Sequence, residues 1–397
     1  MNSLSYPLAS TTWDAAEYKA IQSVVESGMF TMGKCVQEFE KRFAAYTGSR
    51  YCVMVNSGSS ANLLMIAALR FRSENPLLAG EEIIVPAVSW STTYCPLQQY
   101  GLKLKFVDVD RDTLNYDMTA LSEAVSNKTR AIMVVNLLGN PNDFDAINRI
   151  IDNRNIIVIE DNCESMGAQF GDRKAGTFGI LGSFSSFFSH HISTMEGGMV
   201  VTDDEELYHI MLSVRAHGWT RNLPKYNKLT GTKSDDPFVE SFKFILPGYN
   251  LRPLEMSGAI GIEQINKLPG MVSERRRNAT KFLELIADFP HLRPQAEMGE
   301  SSWFGFSMIV EPDASFTRED VVRVLSAHQI DVRPIVAGNF AKNEVLRWFD
   351  YEIHGDLKNA DELDANGLFI GNHHYGLDKQ FQTLRAALNE LMKSVHE

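Results

Sequence analysis

Between Tyr51 and Ile159 the sequence alternates short apolar, β-branched runs with segments of helical periodicity, and this rhythm constrains the fold more than any other feature. Tyr51 to Val55, Glu82 to Val85, Leu104 to Val109, Ala131 to Asn136 and Ile156 to Ile159 read as strands. Ala61 to about Arg70, Thr119 to Val125 and Phe144 to Asp152 read as helices between them. Parallel strands need a crossover, and a helix is the usual one, so the pattern predicts an α/β fold with a mostly parallel sheet covered by helices on both faces. No period of self-similarity runs through the chain, which excludes a repeat protein. At 397 residues the chain exceeds one ordinary core. We expect a large domain over 1–268 and a smaller α/β domain over 269–397, with a junction at Leu268-Pro269-Gly270.

Further elements extend this frame. Thr12 to Gly28 reads as a helix capped by Thr12 and ended by Gly28. Val36, Phe39 and Phe43 recur at helical spacing, and Glu205 to Ala216 is helical. A helix follows Gly248-Tyr249-Asn250-Leu251-Arg252 through Gln264, and a second, basic one spans Glu274 to Ile286. In the smaller domain a strand over Trp303 to Val310 and helices over Arg318 to Ala327 and Asp378 to Lys393 stand out.

Charge and cysteine usage exclude several classes of function. The net charge of -12 argues against a general nucleic-acid binder, which needs a basic face. A local basic pocket for an anionic small molecule remains compatible with it. The start, MNSLSYPLAS, has neither a basic region nor an apolar run, and no stretch approaches a membrane span. A cytoplasmic protein without a membrane partner is the expectation. Cys35, Cys52, Cys95 and Cys163 are widely and irregularly spaced, which predicts free thiols rather than a zinc site, a disulfide framework or an iron–sulfur cluster.

Three features lie where chemistry is expected. Asn56-Ser57-Gly58-Ser59-Ser60 joins a strand to a helix start, where free amide groups and the helix dipole can seat an anion. It is not a P-loop, since no Gly-Lys-Ser/Thr follows, and no G-x-G-x-x-G marks a dinucleotide site. Trp90 follows a strand end, facing the crevice that α/β sheets use for ligands. Asp161 and Glu164 follow another strand end.

Ser183 to Val200, SFSSFFSHHISTMEGGMV, ties these together. It resembles the central motif of the pyridoxal-phosphate-dependent sugar aminotransferases and dehydratases, in which a serine and an aromatic residue precede a lysine and a Glu-Gly-Gly run. Ser185, Glu196, Gly197 and Gly198 match that motif, and His190 stands at the lysine position. The double histidine followed by STMEGG is similar to a small dehydratase branch of the family. The likeness extends from YPLAS to GLFIGNHH.

The resemblance implies fold type I, the aspartate aminotransferase-like fold, and a set of roles. Asp161 pairs with the pyridine nitrogen, and Gly58, Ser59 and Ser185 hold the phosphate. Trp90 stacks on the ring, and Glu164 stands near the ring hydroxyl, where most relatives carry an amide or histidine. Asn250 reaches the phosphate of a second subunit, which implies a homodimer with shared active sites. His217, Arg221 and Arg252 are the candidates for substrate contact. Histidine has no primary amine, so the cofactor is expected to be held non-covalently as pyridoxal or pyridoxamine phosphate. Imidazole can still move a proton near neutrality. The dehydratase branch implies glutamate as amino donor, a GDP-linked 4-keto-6-deoxy sugar as substrate, proton removal by His190 at the cofactor's C4′ carbon, and loss of the sugar's C3 hydroxyl with release of ammonia. His191 is expected to be structural, or to orient its neighbour. Two other readings share the resemblance: a nucleotide-sugar aminotransferase, and a relative that binds a sugar nucleotide without turning it over.

Overall fold

A computed structural model describes residues 5–394; the first four residues of the MNSLSYPLAS start lie outside it. Among the described residues, seven strands up to Thr202 join the large sheet: β1 (Tyr51–Val55), β2 (Glu82–Pro86), β3 (Lys103–Val107), β4 (Thr129–Val135), β5 (Ile157–Asp161), β6 (Leu181–Ser185) and β7 (Gly198–Thr202). An eighth, β8 (Tyr351–Ile353), returns from late in the chain. Together they make one sheet in the order β1-β7-β6-β5-β4-β2-β3-β8. Every neighbouring pair is parallel except those of β7, which runs antiparallel to β1 and β6. The expected mostly parallel sheet is therefore present.

Alternation along the strands divides the interior into layers, since successive side chains point to opposite faces. On β1, Val53 and Val55 join one core, while Cys52 and Met54 join another on the reverse face. On β4, Ala131 and Met133 separate from Ile132 and Val134 in the same way. A helix over Gly58–Phe71 lies in the first layer, and helices over Lys34–Thr47 and Glu255–Ile286 contribute to the second. A third core surrounds a four-stranded sheet of Leu292–Arg293, Gly305–Val310, Gly367–Gly371 and Val332–Arg333. It contains Phe282, Phe306, Leu325 and Leu384, and also Tyr6 from the other end of the chain.

Two local expectations are corrected. The first helix is Ala15–Ser27, and its cap is Asp14, which accepts from the Ala16 N–H while Glu17 answers with its own carboxylate. Thr12 instead donates to Gln264 Oε1 at 2.6 Å. An aspartate followed three residues on by glutamate is the stronger capping pair. Leu268-Pro269-Gly270 is not a break between helices: Glu255–Ile286 is one helix of 32 residues with Pro269 inside it. A proline there costs about 3 kcal/mol. Ile265, Leu268 and Val272 bury themselves against Phe39 and Phe43 on both sides of it, and this packing holds the helix through the defect.

Among the described residues no helix is long and apolar enough to cross a membrane. All four cysteines are free thiols.

Candidate active site

The carboxyl ends of β1, β2, β4, β5 and β6 open into one crevice, where loops can meet a ligand without breaking the sheet. It encloses a cavity of about 710 Å³. Asp161 ends β5 and is buried at its wall. Its carboxylate accepts from Asn62 Nδ2 at 2.8 Å, Thr93 Oγ1 at 2.7 Å and the Cys163 N–H at 3.2 Å. The preceding residue, Glu160, turns the other way. Its carboxylate accepts from the N–H groups of Gly176, Phe178 and Gly179, so it braces a loop rather than a ligand.

The small-residue turn after β1 leads directly into a helix start. Ser57 caps the Gly58–Phe71 helix, its hydroxyl accepting from the Ser60 N–H at 3.1 Å. The first-turn amides of Gly58 and Ser59 have no acceptor within the helix and sit at its positive end. Ser59 donates its hydroxyl to Thr92 at 3.0 Å, and Ser185 ends β6 beside them. A Cβ on Gly58 would stand 2.7 Å from Ser185 Cβ and 3.1 Å from Cys163 Sγ, so only glycine lets the helix end meet the strand end this closely. Trp90 stands at the start of the next helix with 58% of its surface exposed, on the cavity lining.

Glu164 and His190 occupy the remaining wall. Glu164 accepts from the Leu138 N–H at 3.1 Å. Burial, reinforced by the nearby Asp161, pushes its carboxyl up to about 7. His190 closes a tight turn through its N–H to the Phe187 carbonyl at 2.9 Å. Its imidazole lies against Phe304 with centroids 5.2 Å apart, and its enclosed Nδ1 has no hydrogen-bond partner. One edge stays open to the cavity, yet enclosure of the rest, with the charge of Arg275 behind it, pushes the ring down to about 4. At neutrality the ring is thus uncharged, and in this state a weaker base than a free imidazole. His191 points away and bonds the Ser302 carbonyl through Nε2 at 3.2 Å. Among the described residues no lysine lines the cavity.

The four remaining candidates gather elsewhere. Arg221 stacks on Trp219 with its guanidinium 4.2 Å from the ring centroid, and Arg252 lies 5.9 Å from the same ring. His217 packs edge-on to Trp219, and Asn250 accepts from Arg252 Nε at 2.9 Å. None of the four lines the cavity of its own chain. Beside them Phe238, Phe242 and Phe244 are exposed.

The arrangement is that of a pocket for a planar, anionic cofactor, and similarity to known proteins agrees. Residues 11–388 match the DegT/DnrJ/EryC1/StrS aminotransferase family. This chain belongs to that family. Among its relatives is the GDP-4-keto-6-deoxy-D-mannose 3-dehydratase of Escherichia coli, 63% identical over 386 residues, 97% of this chain and 100% of that one. The enzyme of that name from Yersinia pseudotuberculosis is 59% identical and covers 96% and 97% of the two chains. A solved E. coli GDP-4-keto-6-deoxy-D-mannose-3-dehydratase with bound hydrated PLP superposes with a TM-score of 0.96 at 62% identity, covering 98% of this chain and 100% of that one. An aminotransferase of Helicobacter pylori involved in pseudoaminic acid biosynthesis, 21% identical, shares the fold at a TM-score of 0.85. The DegT/DnrJ/EryC1/StrS chain described here thus has the fold type I architecture.

Sequence reasoning missed several of the pocket's residues. Asn62 and Thr93 orient Asp161, yet each sits on a helix where polar residues are commonplace. Asn62 lies four residues beyond Gly58, on the face that a ligand at the helix start would share, and that spacing was a usable signal. Phe304 and Arg333 reach the cavity from the smaller sheet, and no local pattern connects either to His190.

Proposed function

We propose that this chain is a dehydratase that removes the C3 hydroxyl of GDP-4-keto-6-deoxy-D-mannose to give GDP-4-keto-3,6-dideoxy-D-mannose. L-Glutamate restores the amine form of the cofactor, and ammonia and 2-oxoglutarate are released. The observation that carries this reading is His190 on the wall of a cavity that, among the described residues, no lysine lines. An amine nucleophile for covalent attachment is lacking, while an uncharged base is in place. The GDP and the sugar rest on the two relatives of nearly identical length.

The residues fit pyridoxal or pyridoxamine phosphate. When bound, the cofactor supplies an amino group and an electron sink for charge developing beside it. Asp161, aligned by Asn62 and Thr93, keeps a carboxylate where it favours a protonated pyridine nitrogen. Gly58, Ser59 and Ser185 donate to the phosphate, and Trp90 covers the flat face. Glu164, near half-protonation at neutral pH, can donate or accept at the ring hydroxyl. His190 takes up a proton and delivers it to the departing C3 oxygen of the sugar, which a water-accessible base would do less selectively.

We further propose a homodimer in which Asn250 completes the phosphate seat of a second copy and His217, Arg221 and Arg252 meet the substrate there. Their distance from their own cavity and the exposed Phe238, Phe242 and Phe244 beside them support this. We also propose that the chain works in the cytoplasm, with a larger unit (1–268) and a smaller one (269–397) that share the continuous Glu255–Ile286 helix. Incubation with pyridoxal phosphate, glutamate and the GDP-keto sugar tests the reading. Ammonia and a deoxygenated sugar are expected; an amino sugar without ammonia would indicate an aminotransferase, and neither product a binding protein.

A further inference from the structure

His190 lacks the device that usually fixes a proton-carrying histidine. Among the described residues no carboxylate or carbonyl holds its ring: Nδ1 is enclosed and unpartnered, and the imidazole packs on Phe304 on one side and Phe187 on another, 6.0 Å away. Phe304 also packs on His191 at 5.8 Å. Among the described residues it is the one aromatic residue whose ring packs on both histidines, and it lies more than a hundred residues further along the chain.

Its own position is held with unusual firmness. The Phe304 carbonyl accepts from Arg275 Nη1 at 3.0 Å, and the same nitrogen reaches the Asn372 carbonyl at 2.7 Å. Arg275 is buried and donates to carbonyl groups, with no carboxylate among its hydrogen-bond partners. Trp303 sits in the left-handed region at φ 48°, and Asn372 Nδ2 holds its carbonyl at 2.9 Å. The Phe304 N–H donates to the Leu138 carbonyl at 3.0 Å, and Leu138 is itself left-handed at φ 53°. Non-glycine residues in that region are strained and persist only where surroundings over-determine them. Here two such residues lie on facing turns, which the Phe304 N–H joins to the Leu138 carbonyl. The Leu138 N–H holds Glu164, and the Ser302 carbonyl holds His191.

We propose that Phe304 is the positioning residue for His190, with the buried Arg275 as the clamp that fixes the Phe304 backbone. The ring sets the direction of the imidazole's open edge and excludes water from its closed one. This rests on the reading of His190 as the proton carrier. The charged or titratable groups around that imidazole are Arg275 and His191 behind it, and Asp161, Cys163, Glu164, Glu196 and Arg333 around the cavity.

The test compares Phe304→Leu, Phe304→Tyr and Arg275→Lys in the full-length protein. Turnover and KM are measured with the holoenzyme, and the His190 ring is titrated by NMR with His190→Asn as the assignment control. For Phe304→Leu we expect kcat to fall at least tenfold with KM for the sugar nucleotide within threefold, and the His190 titration to move up toward the ordinary histidine range. Phe304→Tyr, which keeps the ring, restores most of kcat and the low titration point. Arg275→Lys, if it folds, behaves like Phe304→Leu. A Phe304→Leu enzyme with unchanged kcat and unchanged titration would overturn the proposal, as would a Phe304→Tyr enzyme as impaired as Phe304→Leu. The reading of His190 fails separately, if His190→Asn retains dehydration; the NMR shift reports on Phe304 in either event.

Discussion

Asn62 Nδ2 stands 2.8 Å from Asp161 Oδ2, and Thr93 Oγ1 shares that oxygen at 2.7 Å. Two neutral donors thus fix a buried carboxylate without neutralising it, leaving its charge for a cationic partner. Asn62→Leu removes one donor from a buried acceptor, a loss of about 1–3 kcal/mol. Pyridoxal phosphate affinity is expected to fall by about tenfold, the equivalent of some 1.4 kcal/mol. An absorbance titration of the apoprotein measures this, and unchanged affinity would detach Asn62 from the site.

Glu164 makes stability depend on pH. Its folded-state value of about 7 lies above the ordinary 4.5, so the folded chain keeps a proton that the unfolded chain releases. Stability is therefore undiminished below about pH 4.5 and declines as pH rises toward 7. The residue is partly open to the cavity, which limits the effect to about 1–2 kcal/mol. In apoprotein melts, Glu164→Gln should match the parent near pH 4.5 and exceed it at pH 8. Parallel melting curves across that range would contradict the assignment.

Gly58→Ala separates binding from folding. Alanine is the better helix former by about 1 kcal/mol. Its Cβ would nonetheless press on Ser185 at 2.7 Å, and overpacking of that kind costs about 1–3 kcal/mol. Melting temperature should change little, while cofactor affinity drops as Ser185 is displaced. Calorimetric titration with pyridoxal phosphate reads the difference.

A shared active site predicts complementation. Asn250→Ala and His190→Asn should each be nearly inactive alone. Unfolded, mixed and refolded together, random pairing into symmetric dimers restores about a quarter of the sites. Recovery absent despite confirmed mixed dimers would place Asn250 outside the partner's site.

The frame and half of the pocket were legible because local patterns encode them. The strand–helix alternation from Tyr51 onward, the small-residue turn at Ser57-Gly58-Ser59 and the carboxylate ending β5 each declare themselves within a few residues. The Glu-Gly-Gly spacing placed His190. What escaped depends on distance in the chain. Phe304 meets His190 only because the strand over Gly305–Val310 begins at a strained turn bonded to Leu138. The helix through Pro269 escaped for a related reason: a local helix breaker was outweighed by packing against Phe39 and Phe43, more than 200 residues away.

With an imidazole in place of an amine, we propose that the site removes oxygen where its aminotransferase relatives add nitrogen. Mass spectrometry of the sugar nucleotide after reaction with glutamate and pyridoxal phosphate, with ammonia assayed in parallel, decides between the two. A product one oxygen lighter than the keto sugar is expected, with one ammonia per turnover. A product carrying the nitrogen of glutamate, with no ammonia released, would contradict it.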